Sequence, residues 1–461
     1  MKSKGRRLSV QDKVESKRSG VPRLRVLFAL FAALLVIGVA VGCGDDDSSS
    51  DSASGGSSGG SSTQSGDAAK SGEQTVSAGV SDYADYVGAK SSGAADSSKA
   101  PITIGWVNQE GGPTDVGPGS TKGADLAVKY LNEKLGGIDG HPVKLFKCFT
   151  STSEEQGQTC GQKMVNNKDV KAIAVGAVAI GDQSLVATVD GQKPMVYSVA
   201  IGAADPKNKN GYALFGDGIR VSGPFGTYAA DVVKAKTASV VWPELPGINE
   251  SSQAIVDGAK KKGLTVKSVA WNPNATDLVG PLTAAGAQTS DVIITNSDPK
   301  GCVNLYKALE SLKIDTPVVS EPLCINEQVS KAIGDFPQWT YGIASTLASD
   351  MADPTAQAYA KMVKEMGVPA QYSQDVWIPT SFHEMLTVFK WLNKIGPDNV
   401  TEETFAEQAK AFKGPQAWGA PTIECGKYPE APGICNDQTK FYNYEGKGKF
   451  TPAGGWQRSP E

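Results

Sequence analysis

From residue 101 to the C-terminus, short apolar runs alternate with amphipathic stretches. The runs read "ITIGWV", "VKLFKC", "AIAVGA", "MVYSVA", "ASVVWP", "TVKSVAW", "DVIITN", "PVVSEP" and "YGIAST". Most are continuous and β-branched, the pattern of strands covered on both faces in a parallel sheet. Between them, apolar residues recur at helical spacing. Ala124, Ala127, Val128 and Leu131 form one stripe, Leu305, Ala308, Leu309 and Leu312 a second, and Met385, Val388, Phe389 and Leu392 a third. Each reads as the core-facing side of a helix rather than a cofactor box. The alternation predicts an α/β fold of doubly wound parallel sheets. Two sets of strands predict two lobes. No flexible linker separates them, so the chain should cross through hinge segments.

Upstream the pattern changes. Residues 26–42, "VLFALFAALLVIGVAVG", are apolar and uncharged. They follow a basic stretch holding Arg6, Arg7, Lys13, Lys17, Arg18, Arg23 and Arg25. This is the layout of a signal peptide, assigned to residues 1–42. The run ends in "AVGC", which resembles a bacterial lipobox. That resemblance implies lipidation of Cys43 and anchoring to the outer face of the cell membrane. Ala40 stands three before the Cys, where the pattern prefers Leu. An uncleaved transmembrane anchor is the alternative. Residues 43–100 are Ser-, Gly-, Ala- and Asp-rich. Such a segment has too little apolar surface to offset ordering entropy and reads as a flexible tether. The run "VSDYADYVG" predicts one short helix within it.

Charge follows the same division. The formal net charge is −4, but residues 1–42 hold nine Lys/Arg and two Asp/Glu, leaving 36 basic against 47 acidic residues, a balance of −11. A negative chain without a basic cluster argues against nucleic acid as a partner. Setting Cys43 aside leaves six cysteines: Cys148, Cys160, Cys302, Cys324, Cys425 and Cys435. An even number suits an oxidising compartment, and six allow 15 pairings. Pairing of neighbours is the simplest. With two His (His141 and His383) and no C-x-x-C spacing, neither a metal site nor a nucleophilic triad has its parts. No cofactor is implied. The near-match "GPGSTKG" to phosphate loops lacks the P-loop order and reads as turn chemistry.

Three stretches carry a resemblance: "KGADLAVKYLNEKLGGIDGHPVKL", "ADVVKAKTASVVWPELPGINESSQAIVDGAKKKGLTV" and "DVIITNSDPKGCVNLYKALESLKIDTPVVSEP". Through them, residues 101–461 resemble the leucine/isoleucine/valine-binding family of type I periplasmic binding proteins. The resemblance implies crossovers near 218–223, near 343–345 and between about 419 and 441. It implies lobe one as 101–220 plus 346–420, and lobe two as 221–345 plus 421–461. It implies a solute bound between the lobes and delivered to an ABC transporter permease. In relatives that bind α-amino acids, hydroxyl residues after the third and fourth strands of lobe one hold the carboxylate. Here Ala179, Ile180 and Gly181, and Ala200, Ile201 and Gly202, occupy those places. Ile180, Gly181, Ile201 and Gly202 remain candidates through backbone N–H groups. Glu321 aligns with the family's carboxylate for a substrate ammonium. Ser297 aligns with an aromatic contact, with Asp298 and Lys300 beside it. Trp242 closes its strand at the matching level. In the loop after the first strand, Glu110, Asp115 and Val116 are candidates for lining the mouth. The expected ligand is an amino acid or related small amine or amide. The alternatives are a surface sensor of the same fold and a lipid-anchored enzyme.

Overall fold

The computed structural model describes residues 79–112, 118–202 and 204–460. Residues 1–42, Cys43, Asp115 and Val116 therefore lie outside the described residues.

The described residues begin with α1 (Tyr83–Val87), β1 (Ile102–Gln109), α2 (Gly119–Lys134), β2 (Val143–Thr150), α3 (Glu154–Asn166), β3 (Val170–Val175), α4 (Asp182–Val189), β4 (Met195–Tyr197) and β5 (Gly211–Ala213). The chain then crosses at α5 (Gly218–Ser222) into α6 (Pro224–Asp231), β6 (Thr237–Pro243), α7 (Ile248–Lys261), β7 (Thr265–Trp271), α8 (Val279–Ala285), β8 (Val292–Thr295), α9 (Pro299–Leu312), β9 (Val318–Ser320), α10 (Glu327–Ile333) and β10 (Thr340–Ile343). Next come α11 (Pro354–Glu365), α12 (Gln371–Gln374), α13 (Trp377–Ile395), α14 (Glu402–Lys410) and the two-residue strands β11 (Lys413–Gly414) and β12 (Ile423–Glu424). The chain ends with β13 (Gln438–Tyr444) and β14 (Phe450–Arg458).

One sheet has the order β2-β1-β3-β4-β5, with every pair parallel. The other has the order β14-β13-β10-β9-β8-β6-β7, parallel except for the β13 pairings. Continuous apolar runs explain the buried strands: β1, β3, β6 and β8 are covered along nearly their whole length. The run "TVKSVAW" differs. As β7 it lies at a sheet edge and is largely exposed. In α13 the stripe Met385, Val388, Phe389 and Leu392 is fully buried, and α13 packs along α2. Gly123 lets the two helices touch, since a Cβ there would lie 2.2 Å from the Ile378 carbonyl oxygen.

Two expected boundaries are corrected. The tether does not run to residue 100. Tyr83, Tyr86 and Val87 are buried in the core of lobe one, and the Tyr83 hydroxyl meets His383 Nε2 at 2.7 Å. The predicted short helix forms as α1, capped by Asp82 and closed by Gly88 at φ 67°. Aromatic area outweighs the polar composition around it. At the other end, lobe one extends past 420. Cys425 and Cys435 belong to its core, and Ile434 pairs with Ala213. Disulfides join Cys148 to Cys160, Cys302 to Cys324, and Cys425 to Cys435.

Candidate functional site

Parallel strands bring their carboxyl ends to one side of a sheet, where open α/β sheets bind ligands. In lobe one β3 and β4 end at Val175 and Tyr197; in lobe two β8 and β9 end at Thr295 and Ser320. The crossover helix α5 touches the loops beyond both sets. Ala200 N–H donates to the Gly216 carbonyl at 3.0 Å, and Ala200 bridges Asp217. At the other end of α5, the Ser222 hydroxyl donates to Glu321 Oε1 at 2.7 Å. The loops after β4 and β9 thus converge on one hinge segment.

Glu321 follows β9 directly and its backbone N–H is held by the Thr295 carbonyl. Cys324, three residues on, is tied by its disulfide to Cys302 in α9, which pins the loop. Burial pushes the Glu321 carboxyl up to about 8, with the Ser222 hydroxyl pulling the other way. Among the described residues no Lys, Arg or His forms an ion pair with it. A carboxyl that lacks a cation in this setting keeps its proton at neutral pH and ionises once a cation arrives.

Lobe one departs from expectation. The N–H groups of Ala179 and Ile180 donate to Gln109 Oε1 at 3.0 and 2.9 Å. Those of Gly181 and Ser184 donate to the two oxygens of Glu154, both at 2.9 Å. Gly202 N–H donates to Asp205 Oδ2 and Ala204 N–H to Asp182 Oδ2, both at 3.0 Å. Ile180, Gly181 and Gly202 therefore offer no spare backbone donor, because the chain's own side chains fill those positions. Although partial burial pushes Glu154 up, the Ser184 and Gly181 N–H groups hold its carboxyl below the usual range. Asp182 and Asp205 are raised, first by burial, with Asp182 adding to the rise of Asp205. Ile201 projects into solvent, 40% exposed. Glu110 accepts from the Thr121 hydroxyl at 2.5 Å and is tied to the first turn of α2.

Two lobe-two candidates are buried. The Trp242 ring packs in the core of its lobe and its Nε1 donates to Asn249 Oδ1 at 3.0 Å. A central strand buried on both faces leaves no open side for its last aromatic. Ser297 is fully buried beneath the start of α9. Asp298 stands at the head of α9 and is partly exposed, with Lys300 exposed beside it. Sequence reasoning missed Ser222, the partner of Glu321, and the buried contact of Asn296 Nδ2 with Ser251 Oγ at 2.7 Å. It also missed Ile219 on α5 and Leu323 after Glu321, 47% and 42% exposed. The available signal was position: Ile219 and Ser222 fall in the crossover expected at 218–223, and Leu323 lies two residues beyond Glu321.

Among the described residues no cluster of three His, Cys, Asp or Glu could hold a metal ion, and no helix is long and apolar enough to cross a membrane. A cavity of about 480 Å³ lies elsewhere, between residues 349–352 and 447–452.

Residues 101–426 match the family model described as periplasmic binding protein. No curated protein matches the chain. A leucine binding protein from Thermotoga maritima superposes with a TM-score of 0.61 at 14% identity, over 77% of this chain and 99% of that one. The branched-chain amino acid transporter substrate binding protein of Streptococcus pneumoniae, solved with isoleucine, gives 0.60 at 15% identity, over 78% and 99%. A solute binding protein of an ABC transporter from R. palustris, solved with 4-hydroxybenzoate, gives 0.59 at 15% identity, over 78% and 96%. At such identities the likeness speaks to the fold.

Proposed function

This chain belongs to the periplasmic binding protein family, and from that premise we propose that it is a lipid-anchored receptor that passes a small amine-bearing solute to an ABC transporter permease. The family works outside the cytoplasm on small-molecule ligands and with such permeases. The observation that carries the amine is Glu321, a carboxyl without a cationic partner at a strand end, held by Ser222 of the crossover helix. A solute that touches Glu321 and the lobe-one loops bridges both lobes, so binding favours hinge closure. The closed form is the one the permease recognises. Cys43 supplies the anchor, and the segment that follows it gives the receptor reach.

Glu321→Ala should weaken binding of an amine solute at least tenfold, because a charge-assisted pair is worth about 1.5–3 kcal/mol. Isothermal titration of both proteins checks this, and equal affinities would remove Glu321 from the site. Mass spectrometry of the membrane-extracted protein should find a chain beginning at a lipidated Cys43. A chain retaining residues 26–42 would instead support the uncleaved anchor.

A further inference from the structure

Resting on this receptor reading, we propose that the solute is a primary amine with a hydrocarbon body and no carboxylate. An anionic group needs free N–H donors, a helix N-terminus or an uncommitted cation. At the strand ends of lobe one, the N–H groups of Ala179, Ile180, Gly181, Ser184, Gly202 and Ala204 are all committed. Three of their four acceptors, Glu154, Asp182 and Asp205, are carboxyl groups. The first turn of α4 is seated on Glu154, so a resident carboxylate fills the place an anion would take.

The pattern repeats across the hinge. The N–H of Gly247, at the head of α7, donates to Glu250 Oε2 at 2.7 Å. Asp298 is the residue at the head of α9, with Lys300 exposed beside it. The guanidinium of Arg220, on α5, is divided between Asp217 at 2.6 Å and Glu430 at 2.7 Å. A resident acid thus stands at each of these helix ends, and an incoming carboxylate would meet like charge. An ammonium meets Glu321 instead.

The body of the solute follows from the aliphatic side chains. Ile201 is next to Ala200, which pairs with Asp217 at the start of α5. Ile219 is on α5 itself, and Leu323 lies two residues beyond Glu321. All three are exposed around the same hinge segment. A hydrocarbon body laid against them removes apolar surface from water.

The test is isothermal titration of the full chain in detergent with primary alkyl- and arylalkyl-amines, each paired with the amino acid that differs from it by one carboxylate. 3-Methylbutylamine with leucine and 2-phenylethylamine with phenylalanine are the first pairs, and 4-hydroxybenzoate is the acid control. The expected result is that the amine of a pair binds at least tenfold tighter than its amino acid, and that Glu321→Gln abolishes this binding. Amino acids that bind as tightly as their amines, and lose affinity in Glu321→Gln, would overturn the inference and leave the amine-receptor reading intact. Binding of 4-hydroxybenzoate alone, or of no probe, would overturn both.

Discussion

Glu321 carries a consequence that stability measurements can read. Its carboxyl keeps a proton to about 8 in the folded protein, whereas its ordinary value is 4.5. Between those values the unfolded chain binds fewer protons than the native one, so stability falls as pH rises through the window and levels off above it. Glu384 and Asp205, also raised by burial, act in the same direction. Comparison with Glu321→Gln cancels their share. The melting temperature of the wild type should fall more steeply from about pH 5 to pH 8 than that of Glu321→Gln. Parallel curves would contradict the burial assigned to this carboxyl. An ammonium that pairs with Glu321 displaces the same proton, so affinity should rise about tenfold per pH unit below the carboxyl's value. Among the described residues the Ser222 hydroxyl bonds this carboxyl and no cation forms an ion pair with it. Other residues were less legible. Gln109 and the loop N–H groups it binds are about 70 positions apart, a pairing that no local pattern encodes.

At the scale of elements, the alternation of apolar runs and helical stripes was readable because buried parallel strands and core-facing helices leave strong periodic signals. The N-terminal arm left a faint one. A few apolar residues interrupt a polar segment, and four of them, Val80, Tyr83, Tyr86 and Val87, lie in the core of lobe one. Tyr86 donates toward or accepts from Thr387 Oγ1 at 2.9 Å, and Asn393 and Lys390 bind the carbonyls of Val87 and Tyr86. This arm is therefore part of lobe one. Tyr83→Ala should lower stability by about 3 kcal/mol, the usual cost of emptying an aromatic core site. Urea unfolding measures it, and a change below about 0.5 kcal/mol, typical of surface sites, would mean the arm is dispensable. The β7 run forms its strand as expected but at the sheet edge, where a largely exposed strand can still carry β-branched residues.

The whole molecule is organised around its crossings. Asn436 Nδ2 bonds the Phe215 carbonyl at 3.2 Å, and Thr439 Oγ1 bonds the Val221 carbonyl at 2.6 Å, tying the last crossing to the first. Lys440 reaches Asp350 at 2.6 Å and Asp353 at 3.2 Å, tying it to the second. Tyr442 donates to Asp350 at 3.1 Å, and Thr346 to Asp353 at 3.1 Å. All five side chains are buried. Lys440→Met would leave two buried carboxylates without their cation and should cost about 3–5 kcal/mol in chemical unfolding. A neutral result would mean that the hinge does not depend on this cluster.

The most direct test of the account is a crystal structure of the chain with the tightest-binding amine of the series. The account predicts the solute nitrogen within hydrogen-bonding distance of Glu321, its hydrocarbon body against Ile201, Ile219 and Leu323, and the two lobes drawn together around it. A solute seated instead in the cavity between residues 349–352 and 447–452, with Glu321 still bonded only to Ser222, would contradict it.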